Sequence, residues 1–243
     1  MREVIPAADL LSHRSLLAPY IEKAGCIKDI ITGLTNEIYK IGASLPEEEY
    51  RHVADGVWIH KDSAVDPGVK IEEATIIGGG CNISPCCWLH GGVVIGHHVT
   101  LGLGCDIKGS ILYDLSCVGS SSSLEYSLLG YRAHIGQLCL LRSDLPEGVG
   151  TELVKSKDGV LRPLPTSVKV GSVVGDCARI APQCILESGC HVGAFAAVAS
   201  FLDVRQNVAS YATLHNYGYR VCFAESAGSH LSSELMSGVK KSE

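Results

Sequence analysis

IHKDSAVDPGVKIEEATIIGGGCNISPCCWLHGGVVIGHHVTLGLGCDI, residues 59–107, carries an aliphatic side chain at every sixth position: Ile59, Val65, Ile71, Ile77, Ile83, Leu89, Ile95, Leu101 and Ile107. With aliphatics at about 0.3 of positions, nine hits in nine have a chance probability on the order of 10⁻⁵ per starting point. A period of six fits neither the 3.6 of an α-helix nor the two-residue alternation of a simple strand. Beyond residue 107 the phase slips by one residue to Leu112, Val118 and Leu124, and slips again to Leu129, Ile135 and Leu141. Residues 142–167 carry no such pattern. The period then resumes at Val168, Val174, Ile180, Leu186, Val192, Val198 and Val204.

This period predicts a parallel β-helix of hexapeptide repeats, in which three hexads make one triangular coil. The aliphatic points into the prism, and the next residue, often glycine, turns the corner. The residue two before the aliphatic also faces inward and must be small. Six of the eleven cysteines fall in that slot: Cys81, Cys87, Cys105, Cys139, Cys184 and Cys190. Cysteine serves there as a small hydrophobe, so neither a disulfide framework nor a metal site is expected. The same slot takes Ser122, which makes the serine run of CVGSSSSLEYSLLG (117–130) part of two coil faces rather than a linker. Val94 and Leu112 are expected as outward aliphatics on flat faces.

Residues 8–42 repeat apolar side chains at three- and four-residue spacing and predict helix, with Gly25 and Gly33 suggesting two helices or a bent one. The expected organisation is a helical segment and polar connector over 1–52, a β-helix over 53–210 with a loop insertion at 142–167, and a tail over 211–243. The 243 residues carry a net charge of -6 and no long basic stretch, which argues against nucleic acid and anionic membranes as partners. No apolar run approaches the roughly 20 residues needed to span a bilayer. MREVIPAADLLSHRS at the N-terminus has charges where a signal peptide has its apolar segment. The expectation is a cytoplasmic protein.

Hexads over 53–210 resemble those of the left-handed β-helix acyl- and acetyltransferases, commonly homotrimers. CDIKGSILYD (105–114), the coil through Gly130 and Gly136, the excursion at 142–167 and VKVGSVVGDCARIAPQCILESGCHVG (168–193) look like the C-terminal domain of the bifunctional uridylyltransferase and glucosamine-1-phosphate N-acetyltransferase. Residues 1–52 have no counterpart to its nucleotidyltransferase half. The resemblance implies a left-handed coil, acetyl-CoA as acyl donor and a sugar-phosphate acceptor. It also implies a histidine base, a lysine and a tyrosine on the coil at 117–123, where this chain has Cys117, Ser120 and Ser123. Ser120 stands in the place of the base. His90 stands for an arginine that meets the phosphate, and His134 and Ser143 stand for two asparagines.

Acyl transfer to an amine needs a base for the ammonium proton and donors for the developing oxyanion, and a serine without a partner base does not supply the first. Turnover of glucosamine-1-phosphate at the rate usual for the family is therefore not expected. The candidates for displaced chemistry are His134, His90 and Glu125. A three-histidine zinc site lacks its second histidine in GHHVTLGLG (96–104). For coenzyme A the resemblance implies the C-terminal coils, where Ala181, Gly193, Ala196 and Ala197 would let a pantetheine arm approach and Arg205 would meet phosphate. Lys155, Lys157 and Arg162 form a local positive cluster in the insertion. Two readings result: a coenzyme-A-dependent acyltransferase-like protein of sugar-nucleotide metabolism with an altered acceptor site, or a catalytically inactive trimeric binding or scaffold protein.

Overall fold

Each hexad forms one short strand and one corner, and the corners stack. The computed structural model describes residues 11, 17–23, 27–144, 153–155, 161–163, 169–216 and 218–221. Three parallel sheets result. The first face is built from Val57–His60, Thr75–Ile77, Val93–Ile95, Ile111–Leu112, Leu128–Leu129, Val173–Val174 and His191–Val192, with Tyr50–Ala54 added antiparallel at its start. The second face runs from Ala64–Val65 through Cys117–Val118, His134–Ile135, Arg179–Ile180 and Ala197–Val198 to Ala212–His215, and Gly218–Val221 closes it antiparallel. The third face has seven strands, from Lys70–Ile71 to Asp203–Val204. The molecule is thus a parallel β-helix of about seven turns. The strand Tyr50–Ala54 spans the expected boundary at 52/53, and the coil continues to residue 215.

The interior confirms the pattern of the period. Ile77, Leu89, Ile95, Leu101, Ile135 and Ile180 are fully buried. The small slot has a second duty besides fitting: it satisfies the corners. Cys81 donates its thiol hydrogen to the carbonyl of Gly96 (3.0 Å), Cys87 to Gly102 (3.1 Å) and Cys184 to Ala199 (3.1 Å). Ser122 donates to Gly136 O (2.9 Å) and accepts from Cys139 N–H (3.1 Å). A buried corner carbonyl without a donor would cost the desolvation of that group, so serine and cysteine recur in the slot. The serine run is now placed residue by residue. Ser120 and Ser121 turn the corner, Ser121 at φ 58°, Ser122 points inward, and Ser123 starts the next strand on the third face.

Both phase slips have one physical origin. At the third-to-first corner a regular coil uses three residues before the inward small one, as in His90-Gly91-Gly92. Lys108-Gly109 and Glu125-Tyr126 do it with two, and Gly109 (φ 54°) and Tyr126 (φ 46°) take the left-handed conformation one residue early. The insertion leaves from the same corner, between Leu140–Leu141 and Val173–Val174; inside it Leu153–Lys155 pairs antiparallel with Leu161–Pro163. Lys157 lies outside the described residues, as do the side chains of Lys155 and Arg162.

The N-terminal segment gives two helices among the described residues, α1 (Ala18–Lys23) and α2 (Ile27–Gly42). Gly25 and most of residues 8–16 lie outside the described residues. Gly33 lies inside α2 without ending it; a side chain there would strike the hydroxyl of Tyr20, which donates to Ile30 O (2.6 Å). Ile27, Ile30, Leu34 and Ile38 form the buried stripe of α2. They pack with Leu17 and Ile21 on the outward residues of the first face, Ile76, Val94, Ile111, Leu128 and Val173. One helical turn, about 5.4 Å, nearly matches one coil step of about 4.8 Å, so successive turns seat on successive coils. This corrects the expectation for Val94 and Leu112. Val94 is covered by the helical layer, and Leu112 points into the prism as part of the inner core. No helix among the described residues is long and apolar enough to cross a membrane.

Candidate functional site

The residue after each inward aliphatic differs by corner. At the second-to-third corner it includes Gly102, Gly119 and Gly136, where an added Cβ would lie 2.5, 2.6 and 2.5 Å from the backbone nitrogen of the next coil. The first-to-second corner is as tight at Gly96, Gly175 and Gly193. At the third-to-first corner the same position holds Glu72, His90, Lys108, Glu125, Arg142, Glu187 and Arg205. The register of the third face stacks them one per coil, at a rise of about 4.8 Å. This charged edge is also where the corners shorten and the insertion departs.

At one end, His90 is held on three sides. Its ring stacks on Trp88 (centroids 4.2 Å apart, 23° between planes), and Lys70 Nζ sits 4.8 Å from the Trp88 ring centroid. His90 Nδ1 lies 3.4 Å from Glu72 Oε1, and Nε2 lies 3.2 Å from Asp106 Oδ1. Glu72 is itself fixed: Oε1 accepts from Trp88 Nε1–H (2.9 Å) and Oε2 from Gly91 N–H (3.3 Å). The Trp88 hydrogen bond above all holds the Glu72 carboxyl below the usual carboxylate range; Gly91, His90 and Lys108 act in the same direction. A neutral imidazole has one N–H to give and one lone pair. Each ring nitrogen of His90 thus faces a carboxylate oxygen, and with the Nδ1–H tautomer a cationic donor that meets Nε2 and Asp106 Oδ1 together from the solvent side would satisfy both.

Two rungs beyond His90, Glu125 Oε2 accepts from Ser143 Oγ–H (2.6 Å) and Ser143 N–H (3.3 Å). Arg142 Nη1 reaches Glu187 Oε1 (3.3 Å). The other oxygen of Glu187, Oε2, is sealed from solvent and has no hydrogen-bond partner. Arg205 is bound to Asp203, with Nε donating to Oδ2 at 2.8 Å, and Lys169 to Asp144 at 3.1 Å.

His90, Glu125 and Arg205 therefore share one edge. His134 does not join them: it is exposed on the second face, between Cys117 and Arg179 on the neighbouring strands. The residues named for coenzyme A do not converge within one chain. Ala181 follows Ile180 on the second-to-third corner, and Ala197 lies on the second face above Arg179. Gly193 is buried at the first-to-second corner, its smallness fixed by Ser210 N, which an added Cβ would approach to 2.3 Å. Ala196 points into the core at 1% exposure and presents no side chain to a surface ligand. Ser120 packs its backbone and hydroxyl against Gly102. Sequence reasoning passed over Glu72, Asp106, Arg142 and Glu187. The signal was a charged or histidine side chain returning at 72, 90, 108, 125 and 142, one coil apart each time.

No protein-family model and no curated protein matches the chain. Among solved structures, it is similar to the acetyltransferase domain of PglB from Neisseria gonorrhoeae, at 13% identity over 77% of this chain and 64% of that one, with a TM-score of 0.39. The match thus spans less than two thirds of that domain. It is similar to AntD, an N-acyltransferase from Bacillus cereus, at 14% identity over 76% of this chain and 90% of that one, TM-score 0.37. It is also similar to perosamine N-acetyltransferase from Caulobacter crescentus, at 14% identity over 79% and 67%, TM-score 0.31. These are likenesses of a coil, and the chemistry of the charged edge is set by this chain's own residues.

Proposed function

We propose that the protein is a coenzyme-A-dependent acyltransferase whose acceptor is an amino sugar, free, phosphorylated or nucleotide-linked, and whose acceptor chemistry sits on the charged edge. One observation carries the reading: His90 stands between Glu72 and Asp106 with its ring clamped by Trp88. An acceptor ammonium that bridges His90 Nε2 and Asp106 Oδ1 from the solvent side gives up one proton to Nε2, which frees the nitrogen lone pair for attack. Glu72 keeps the Nδ1–H donated and the ring oriented, and Asp106 positions the nitrogen. Glu125, two rungs from His90 or about 10 Å away, serves acceptor hydroxyls. His134 reaches the reaction only from a neighbouring copy in a trimer.

Coenzyme A, when bound, supplies the acyl group as a thioester. Of the five residues named for it, Ala181 and Ala197 fit, as a small-residue floor on the C-terminal coils of the second face with Arg179 beside them as a cation for phosphate. Gly193 and Ala196 are occupied by packing, and Arg205 is on the opposite edge. The trimer belongs to the same proposal, with exposed Leu138 and Phe201 along one edge of the second face and stacked Phe195 and Tyr211 along the other. Sedimentation is expected to give three copies at micromolar concentration.

The test is thiol release from acetyl-CoA with a panel of amino sugars, alongside the melting shift that acetyl-CoA produces. His90→Gln is expected to lower kcat by about 10²–10⁴-fold and to leave the melting shift intact. Absence of thiol release with every acceptor would favour the competing reading, a trimeric binding or scaffold protein. The substitution at Ser120, where the resemblance places the base, is what favours that reading.

A further inference from the structure

We infer that the far end of the charged edge is a separate binding subsite for a small primary ammonium compound, anchored on the free oxygen of Glu187. The inference does not depend on acyl transfer. Glu187 lies four rungs from His90, about 19 Å along the edge, beyond the reach of a monosaccharide bound at His90. Its side chain is 8% exposed, and Oε2 accepts no hydrogen bond. A buried carboxylate oxygen in that state needs a donor, and a charged one meets it best.

The local charge selects the donor. Glu125, Arg142 and Glu187 are consecutive rungs, and one cation faces two carboxylates there. The flanking Arg205–Asp203 and Lys169–Asp144 pairs are each neutral. Arg205, though paired with Asp203, also acts electrostatically on Glu187; counted over the described residues, the site is still short of one formal positive charge and of one N–H donor, which a primary ammonium supplies together. Access runs through Arg142, whose side chain is 42% exposed and which occupies only Oε1. An Arg142 turned outward would free the approach to the Glu187 carboxylate, with Glu125 two rungs away. A hydroxyl alone brings the donor without the charge, and a quaternary ammonium brings the charge without the donor.

Calorimetric titration of the full chain with ethanolamine tests this, with ethylene glycol and tetramethylammonium as the two half-ligands. Ethanolamine is expected to bind, and both half-ligands at least about tenfold more weakly, the worth of one charge-assisted hydrogen bond. Glu187→Gln is expected to weaken ethanolamine roughly tenfold or more. Arg142→Gln keeps a donor for Oε1 and removes the competing charge, so affinity should hold or rise. A residue of purely structural importance would lower it in both variants. Any binding of ethanolamine at His90 should be lost in His90→Gln, while the component lost in Glu187→Gln should persist there, which separates this subsite from the acceptor site. Equal binding of tetramethylammonium, an unweakened Glu187→Gln, a parallel loss in Arg142→Gln, or no ethanolamine binding by the intact chain (Oε2 met by internal water alone) would each overturn the inference.

Discussion

The second-to-third corner and the third-to-first corner begin at the same position of the hexad and hold opposite residues. The first has at its middle a column of Gly102, Gly119, Gly136 and Ala181, the three glycines each pressed on the backbone of the next coil. The second is a column of Glu72, His90, Lys108, Glu125, Arg142, Glu187 and Arg205. Where the chain turns tightly, from Gly102 to Gly136, coil stacking fills the space that a side chain would occupy; Asp66 and His215 take the same position only at the two ends of the column. Where the turn shortens and then opens into the insertion, long polar side chains fit and stack into a ladder. Loss of regularity and gain of chemistry coincide on one edge of the prism.

The contrast breaks first under added volume. Gly136→Val would put its Cβ 2.5 Å from Pro182 N and 2.7 Å from Ala181 C. Backbone cannot yield there without parting two coils, so a loss of about 3 kcal/mol is expected, at the upper end of overpacking. Lys108→Val, at the same hexad position on the open edge, should stay within about 0.5 kcal/mol. Urea melts of the two variants decide the matter; equal losses would mean that the edges are packed alike.

A second test separates inward from outward within the serine run. Ser122→Ala leaves Gly136 O and Cys139 N–H without their partner inside the prism. The expected cost is about 2 kcal/mol, the desolvation of buried polar groups left unpaired. Ser123→Ala, one residue on and facing outward from the third face, should change stability by less than about 0.5 kcal/mol. Ser122→Cys should recover part of the loss, since cysteine performs this duty at Cys81, Cys87 and Cys184.

The coil was legible because one face of every strand obeys one rule: an aliphatic and a small residue inside, repeated at a fixed interval. Ile59 to Ile107 announce it, and Cys81 to Cys190 fill its slot. What the helical layer covers was not legible, because Val94 and Ile76 read as outward residues on any face and only tertiary packing shows which face is roofed. The site was half legible. His90 and Glu125 stood out as polar residues, but their partners Glu72, Asp106 and Ser143 come from other coils. The stacking that joins them is fixed by registers that the two shortened corners shift. The residues chosen for coenzyme A show the limit of small size as a signal, since Gly193 and Ala196 are small for reasons of packing alone.

The smallest effect expected is also the most local. Trp88 Nε1–H donates to Glu72 Oε1, and this bond is the main reason the Glu72 carboxyl titrates below its ordinary value. A carboxyl whose folded value is depressed contributes stability that is complete above its unfolded value, near 4.3, and is lost as pH falls through the folded value. Trp88→Phe keeps a ring against His90 and removes the donor, so the Glu72 titration should move upward toward the ordinary carboxylate value, as read from its side-chain carbon resonance. Wild type and variant should then differ in stability at neutral pH and converge under acid, once both forms are protonated. Glu72 is 47% exposed, and solvent screening holds the difference to a few tenths of a kcal/mol. The larger consequence is for His90, which loses a fixed partner at Nδ1. If the edge acts as proposed, kcat falls in Trp88→Phe while acetyl-CoA still raises the melting temperature. An unchanged kcat, with Glu72 shifted as expected, would mean that the orientation of the His90 ring does not govern the reaction.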